Sequence, residues 1–280
     1  MKTNLCLNRF LILTFLLTIL TSISVYAQNG NLKVGAARLD ITPPSYNTIS
    51  EKYEHEKLFI RAIVLDNGTS KAVLIGIDGG GLSNDIWDAT TSAIEKELGC
   101  PSENIIMSAT HTHSGDRTAN PNTLIETFMN VVRMANGNLQ PAKVGYGTGK
   151  SYLNVNRDVI NKDTRLWTQA ANIDGPSDKT LAVMIFSDNQ GKPIAGYMNY
   201  AMHPVNAYLA GFITADFPGA ACRYIENSFN DDMVMIFSQG ASGDQNPLYL
   251  RTGTNVMASK SGIDITGFEM NREEIEAPLR

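Results

Sequence analysis

A strand, a helix and a second strand follow one another early in this chain, and this order restricts its fold more than any other feature. Residues 58–66 and 71–78 are apolar runs rich in β-branched residues, joined by an Asn-Gly turn typical of a hairpin. The helical pattern of residues 84–98 leads to another apolar run at 104–109. A βαβ unit with parallel strands is predicted. We therefore expect an α/β fold of mixed β-sheets flanked by helices, with its site at the carboxyl ends of strands.

A second set of helices and strands follows in the same alternation. Thr123 and Asp216 are polar residues of the type that caps helices, and we expect each of them to begin one. The sequence contains no internal repeat and no obvious linker, which favours one domain. The predicted elements are a helix at 123–136, a hairpin formed by 181–188 and 193–204, a helix that begins at Asp216, and a strand at 233–240.

The first 27 residues have the pattern of a secretory signal peptide. Lys2 and Arg9 precede a long apolar run, and small residues precede a cleavage position after Ala27. Cleavage there leaves residues 28–280 as the mature chain. No second span of about 20 apolar residues follows. We expect a secreted or periplasmic protein with no transmembrane span after signal cleavage.

The composition of the mature chain excludes some classes of partner. It carries 21 basic and 28 acidic residues, a net charge of −7, which argues against nucleic acid or an anionic membrane as the main partner. A lipid substrate held in an apolar groove remains open. The mature chain contains only Cys100 and Cys222, too few for a disulfide framework or a cysteine-type zinc site. Whether these two cysteines pair with each other is left open.

Three of the four histidines directly follow apolar strands. His111 and His113 come after the run at 104–109, and His203 comes after the run that starts at 193. On an extended backbone, the imidazoles of residues two apart project to one face, which suits one metal ion, or a ligand beside a general base. A hydrogen-bonded core histidine is the competing interpretation for any one of them. Three in the same setting favour a metal site.

A catalytic zinc ion usually has three protein ligands and an open position for water. The sequence alone does not identify the third ligand. Asp78, Asp216 and Asp244 are candidate carboxylates, and each has an alternative role at a strand end or helix cap. The string GASGD lacks the spacing of the G-x-S-x-G elbow, which argues against a serine-triad hydrolase. The amidohydrolase barrels also carry an HTH pair, but they need more His and Asp ligands on later strands.

Two polar segments are further candidates for the site. The segment 154–157, NVNR, is interpreted either as a turn stabilised by asparagine side chains, which the sequence favours, or as a place where Arg157 holds a carboxylate or an oxyanion. The loop 239–247, QGASGDQNP, follows a strand and is rich in small residues. Such a loop lets the backbone approach a ligand closely.

Taken in order, these segments resemble motifs of the neutral/alkaline, non-lysosomal ceramidase family. The resemblance implies a zinc-dependent amidase that hydrolyses the N-acyl bond of ceramide to fatty acid and sphingoid base, with residues 28–280 as the N-terminal portion of its catalytic domain. It implies that His111 and His203 bind Zn²⁺. It also implies that His113, as acid/base, and Arg157, beside the substrate carbonyl, are catalytic. The matching motifs are VGAARLDITPP, RAIVLD, SATHTHSG, NVNR, NYAMHP, DFPG and QGASGDQNP.

Departures from the family pattern keep other functions open. Asn246 stands where the family's loop has a serine, and Asp116-Arg117 replace the usual Pro-Gly after HTHSG. The family's other zinc ligands, a Glu and a Tyr, are expected beyond Arg280, so we expect the chain as it stands to be incomplete and inactive on ceramide. One alternative is a related exported hydrolase of another amide or ester. The other is a truncated, inactive domain that binds metal or lipid, and peripheral contact with lipid fits either.

Overall fold

A computed structural model of the protein describes most of the chain that follows the predicted signal peptide. The architecture that follows is that of the compact unit that begins at Leu32. The signal peptide and Asp116-Arg117 lie outside the described residues. The described residues are 31–43, 57–115, 120–206 and 213–248.

The first sheet contains the predicted hairpin and the predicted βαβ unit. Its strands are β1 (Lys33–Asp40), β2 (Phe59–Asp66), β3 (Lys71–Ile77), β4 (Ile105–Ala109) and β5 (Gln140–Pro141). They lie in the order β4-β3-β2-β1-β5. β2 and β3 pair antiparallel, whereas β3 and β4 pair parallel. The expected fold class is confirmed here.

The crossover between β3 and β4 is the helix α1 (Asn84–Leu98), with the bounds that the sequence predicts. The Ser83 hydroxyl accepts a hydrogen bond from the amide of Ile86, which satisfies one of the free amides of the first turn. Gly99 ends the helix with φ 65°, a left-handed conformation that glycine adopts without steric cost. Local sequence signals therefore fix both ends of α1.

The helix α2 (Pro121–Gly137) begins earlier than predicted. The Asn120 side chain accepts hydrogen bonds from the amides of Asn122 and Thr123, and Pro121 occupies the first turn. The expectation that Thr123 caps this helix was wrong. An asparagine cap followed directly by proline is the stronger start signal, because proline lacks the amide that the first turn would leave unpaired.

Seven more strands and a third helix, α3 (Asp216–Ser228), complete the described fold. The strands are β6 (Lys143–Lys150), β7 (Asn154–Ile160), β8 (Trp167–Asn172), β9 (Thr180–Ser187), β10 (Pro193–Tyr200), β11 (Val234–Gln239) and β12 (Gln245–Pro247). The second sheet has the order β11-β10-β9-β6, and the third has the order β12-β7-β8. The preferred interpretation of residues 154–157 as a turn was wrong, since they begin β7.

Helices and sheets stack in four layers. One apolar core lies between the first sheet and the helices α1 and α2, and includes Ile75, Ile94 and Phe128. A second core, which includes Ile63 and Phe186, joins the first sheet to the second. A third core lies between the second sheet and α3. The parallel pairs β3/β4 and β10/β11 thus belong to two sheets packed face to face.

The expectation that Asp216 caps α3 was wrong, because Asp216 lies one position inside the helix. Ala215 occupies the capping position of α3, and Asp216 is its first residue, with φ 56°. The carboxylate of Asp216 accepts hydrogen bonds from the amide of Phe217 and from Asn206 Nδ2. It therefore satisfies a first-turn amide from inside the helix.

The pairing of the two cysteines, which the sequence left open, does not occur in the structure. Cys100 and Cys222 are both free and buried. Cys100 belongs to the core beneath α1 and α2, whereas Cys222 belongs to the core beneath α3. Burial raises the pKa of the Cys222 thiol to about 12, so it is uncharged at neutral pH.

Gly35 provides a test of the packing between β1 and α2. A Cβ atom at Gly35 would lie 2.1 Å from the carbonyl oxygen of Ala135. We expect Gly35→Ala to lower the free energy of unfolding by about 1 to 3 kcal/mol, since overpacking forces the backbone apart. Gly145→Ala is the control, because a Cβ there meets nothing within 4 Å. Denaturant unfolding of both variants tests this, and equal midpoints would contradict the described packing.

Candidate metal centre

The three histidines predicted to share a site converge in the structure. His111 and His113 follow β4, and His203 follows β10 of the other sheet. The Nε2 atom of His113 lies 3.4 Å from Nε2 of His111 and 3.2 Å from Nε2 of His203. One nitrogen from each ring can serve as a ligand atom, and these atoms all lie within 4.8 Å of one another. The three histidines form a group that can hold a metal ion.

The backbone at His111 is not the extended strand that the sequence argument assumed. β4 ends at Ala109, and His111 has φ 66°, which is uncommon for a residue other than glycine. The His111 amide donates to the carbonyl of Gly79 over 2.9 Å. Its Nδ1 lies 2.7 Å from the carbonyl oxygen of Gly80. The imidazoles of His111 and His113 approach each other because of this turn, and the predicted geometric reason was wrong.

His203 is held by the loop that follows β11. Its Nδ1 lies 3.0 Å from the carbonyl oxygen of Ser242, and its amide donates to the carbonyl of Gln245 over 2.9 Å. Burial lowers the pKa of His203 against the hydrogen bond to Ser242, and positive charge on Arg157 or on His111 lowers it further. The lowered pKa favours the neutral form of His203 at neutral pH, which is the form that binds metals.

Two separations between ring nitrogens, both of them to His113, fit those around a tetrahedral metal ion. A carbonyl oxygen accepts only from a protonated nitrogen, so the contacts to Gly80 and Ser242 place the protons of His111 and His203 on Nδ1. Their Nε2 lone pairs then point toward Nε2 of His113. Zn–N bonds of about 2.0 to 2.1 Å in a tetrahedron separate two ligand nitrogens by about 3.3 Å. The separations of 3.2 and 3.4 Å match this value.

His113 lies as close to its two neighbours as a third ligand would. Its amide donates to the carbonyl of Pro204 over 3.3 Å, which ties the segment after β4 to the segment after β10. The assignment of His113 as acid/base, and of His111 and His203 as ligands, stays a prediction, because the distances suit either role for His113.

The three carboxylates considered as further ligands make other contacts. Asp78 forms an ion pair of 2.8 Å with Arg61, and Asp244 Oδ2 accepts from Asn156 Nδ2 over 3.1 Å. Asp216 accepts from Asn206 Nδ2 over 3.0 Å. Within the described part of the chain, the group able to hold a metal contains the three histidines alone.

Arg157 lies on β7, near enough to His203 for its charge to affect the pKa of that histidine. Its amide donates to the carbonyl of Asp244 over 2.7 Å, and its Nη1 donates to Asn246 Oδ1 over 3.2 Å. Its charge acts on His203, whose pKa it helps to lower. In the described residues, the buried Nε of Arg157 has no hydrogen-bond partner. The side chain is thus a partly buried cation that retains donors for a ligand.

Gln245 organises the loop behind His203, and no local sequence pattern indicates this role. Gln245 Oε1 accepts from Asn154 Nδ2 over 2.7 Å and from the amide of Asp178 over 2.8 Å. Its Nε2 donates to the carbonyl of Ala241 over 2.7 Å. The sequence shows that the loop is rich in small and polar residues. The partners of Gln245, Asn154 and Asp178, lie far away along the chain, so they produce no local pattern.

Comparison with known proteins supports the resemblance inferred from the motifs. No protein-family model matches the sequence. Neutral ceramidase B of Dictyostelium discoideum is 23% identical over 257 residues, which cover 78% of this chain and 36% of the relative. Neutral ceramidase A of the same organism is 23% identical over 260 residues, which cover 79% of this chain and 36% of the relative. The chain thus spans about a third of the length of these curated relatives.

Solved structures extend the comparison to the fold. The crystal structure of neutral ceramidase from Pseudomonas aeruginosa matches 79% of this chain with a TM-score of 0.64 and 21% identity. The chain has the neutral ceramidase fold. A second ceramidase structure, complexed with C2, matches 78% of the chain with a TM-score of 0.63. The matches cover 40% and 39% of those ceramidase chains.

The helices of the described residues are all too short or too polar to cross a membrane.

Proposed function

We propose that the protein is a zinc-dependent hydrolase that cleaves the N-acyl amide bond of a ceramide-like lipid to a fatty acid and a sphingoid base. The observation that carries the proposal is the convergence of three imidazoles, two of which have Nδ1 held by carbonyl oxygens. The similarity to proteins named neutral ceramidases supports the choice of substrate.

Each histidine has a role in this proposal. His111 and His203 hold the metal through Nε2, because their other ring nitrogens are engaged by Gly80 and Ser242. Zinc bound there would provide Lewis-acid chemistry at the amide carbonyl and would lower the pKa of water. His113 removes a proton from the attacking water through Nε2 and later donates it to the departing amine nitrogen.

Arg157 stabilises the negative charge that develops on the carbonyl oxygen. Its main chain on β7 is fixed by the hydrogen bond to the carbonyl of Asp244, and its charge acts on His203, which supports this role. A pre-oriented cation in a partly buried site stabilises such an oxyanion more than it would in water. The water oxygen adds to the carbonyl carbon and forms a tetrahedral adduct. Collapse of this adduct breaks the C–N bond, the amine leaves with the proton from His113, and the acyl group becomes the fatty acid.

A second candidate substrate class is a different N-acyl amide or an ester. Asn246 stands at the position where the family's loop is expected to have a serine, and its Oδ1 accepts a hydrogen bond from Arg157. A serine hydroxyl is shorter, so it would leave the guanidinium in another orientation. The substrate headgroup recognised beside Arg157 would then differ from that of ceramide.

We further propose that the protein is exported and meets its substrate at or near a lipid surface. The pattern of the first 27 residues supports export. A water-insoluble N-acyl lipid must be taken from a membrane or micelle, so contact with lipid is expected to be peripheral.

The test is hydrolysis of defined substrates, with and without zinc, by a chain that includes the expected Glu and Tyr ligands, beside residues 28–280 alone. We expect the chain with these ligands to release fatty acid and sphingoid base from ceramide in equal amounts, chelation to stop this release and zinc to restore it, whereas residues 28–280 alone should release neither. Release from other N-acyl amides or esters, but not from ceramide, would favour the second substrate class. Tight zinc binding without any hydrolysis would leave a metal-binding domain, and hydrolysis that survives complete metal removal would overturn the proposal.

A further inference from the structure

Two buried charged residues lie behind the loop that orients His111. Arg61, on β2, and Asp78, directly after β3, are 4% and 2% exposed. Arg61 Nη1 donates to Asp78 Oδ2 over 2.8 Å, and the amide of Phe59 donates to the same oxygen over 2.9 Å. The Asp78 amide donates to the carbonyl of Phe59 over 2.9 Å. Asp78 is therefore fixed to β2 through both its main chain and its side chain.

The two carbonyls that hold His111 come immediately after Asp78. Gly79 accepts from the His111 amide, and Gly80 is the partner of His111 Nδ1. Gly115 packs closely on the same loop, since a Cβ at Gly115 would lie 3.3 Å from Gly79 Cα. The two acceptors lie only one and two residues after Asp78, so a shift of Asp78 would also move both of them.

His111 depends on these contacts because its backbone is strained. A positive φ in a residue other than glycine, here 66°, persists only where surrounding contacts hold it. The described contacts that hold it on this side are the hydrogen bonds to Gly79 and Gly80.

Stability alone is a poor explanation for this buried ion pair. Removing two charges from water is costly, and well-packed apolar residues often replace such pairs without loss of stability. Within the described part of the chain, the buried Asp78 Oδ1 has no hydrogen-bond partner, which adds to this cost. The carboxylate oxygen that is bonded, Oδ2, is the one that fixes the start of the glycine loop.

We propose that Asp78, clamped by Arg61, is a positioning residue that sets the direction of the His111 imidazole and thereby the affinity of the metal centre. The inference rests on the proposed metal-binding role of His111. It differs from the idea that Asp78 is itself a ligand, since the carboxylate acts here through the main chain of Gly79 and Gly80.

Glu226, on α3, offers a matched control. Glu226 Oε1 accepts from Arg61 Nε over 3.3 Å and from the amide of Met235 over 2.9 Å, and the side chain is buried. Glu226 thus belongs to the same ionic cluster, but its side chain contacts Arg38 on β1, Arg61 on β2 and Met235 on β11 rather than the glycine loop. Removing either carboxylate should cost comparable stability, whereas only Asp78 should affect the metal.

The experiment measures zinc affinity by competition with a chelating dye, together with thermal unfolding of each variant. We expect Asp78→Ala to bind zinc about 10- to 100-fold more weakly, the usual effect of removing a group that orients a ligand. Glu226→Ala should keep the affinity of the original protein despite a lower melting temperature. An equal loss of affinity in both variants, or none in Asp78→Ala, would overturn the inference.

Two conservative variants keep the test decisive if Asp78→Ala fails to fold. Asp78→Asn retains an acceptor at the Oδ2 position and should bind zinc nearly as well as the original protein. Asp78→Glu retains the charge but is longer by a methylene, so it should displace the loop and weaken binding. Tighter zinc binding by Asp78→Glu than by Asp78→Asn would show that the charge of residue 78 matters rather than its position, and would overturn the inference.

A readout without metal separates this inference from the proposed function. In metal-free protein, NMR of the histidine side chains should show a slowly exchanging His111 Nδ1 proton that is lost in Asp78→Glu and kept in Asp78→Asn. If the original protein binds no zinc, the proposed function fails while this readout still decides the positioning role. Unchanged His111 signals in Asp78→Glu would refute that role.

Discussion

In an active form that includes the expected Glu and Tyr ligands, replacing His113 with alanine is expected to lower turnover by about 10²- to 10⁴-fold while the protein keeps most of its zinc. The ion would still be held by His111 and His203, whose Nδ1 atoms remain bound to Gly80 and Ser242. The lost step is proton transfer between the attacking water and the leaving amine. Zinc content by atomic absorption and kcat measured on the same preparations test this expectation.

His111→Ala is the matched variant, since both histidines follow β4 and the Nε2 atoms lie 3.4 Å apart. It should lose most of the zinc and therefore all zinc-dependent turnover. Equal zinc loss in the two variants would show that His113 is a ligand and that the assigned roles are wrong. His113 Nε2 lies about as far from the other two Nε2 atoms as one ligand nitrogen lies from another around a tetrahedral zinc ion. The distances alone therefore do not separate a ligand from an acid/base, and the two variants do.

The first sheet could be predicted because its signals are local. The hairpin of β2 and β3 and the crossover helix α1 depend on continuous apolar runs rich in β-branched residues, an Asn-Gly turn, and caps at Ser83 and Gly99. Each of these acts over a few residues. The sequence therefore contains all that is needed to place these elements, and the parallel pairing of β3 with β4 follows from their connection.

The strand β7 could not be predicted, because distant segments hold its polar residues. Asn154 Nδ2 donates to the carbonyl of Ala201 over 2.6 Å and to Gln245 Oε1 over 2.7 Å. Asn156 accepts from Asn172 on β8 and donates to Asp244 beyond β11. Asparagine disfavours strands on average, and here these tertiary contacts override that preference.

The candidate site also combines features that local sequence signals predict with features that depend on distant contacts. The setting of His111, His113 and His203 after apolar strands was visible in the sequence, and the structure brings the three rings together. The left-handed backbone at His111 was not visible, because it depends on the carbonyls of Gly79 and Gly80. No periodicity or spacing encodes an acceptor that lies 31 residues away along the chain.

Arg157→Ala is expected to lower kcat by about 10²- to 10³-fold, the usual effect of removing one oxyanion donor, with zinc content unchanged. Arg157→Lys should restore little, because a lysine cannot reproduce the forked donors of the guanidinium. Arg165→Ala, an exposed position beyond the same strand, is the control and should behave like the original protein. Steady-state kinetics on ceramide and zinc analysis of each variant give the comparison.

The contact between Arg157 and Asn246 decides how such a result is interpreted. If the guanidinium acts on the oxyanion, kcat falls while KM changes little, since the charge develops only in the transition state. Asn246→Ala should then lower kcat by a smaller factor, because it frees Nη1 from its 3.2 Å hydrogen bond without removing the cation. A rise in KM at constant kcat in Arg157→Ala would instead assign Arg157 to holding the substrate's headgroup. That outcome would show that Arg157 does not stabilise the oxyanion and that another group does.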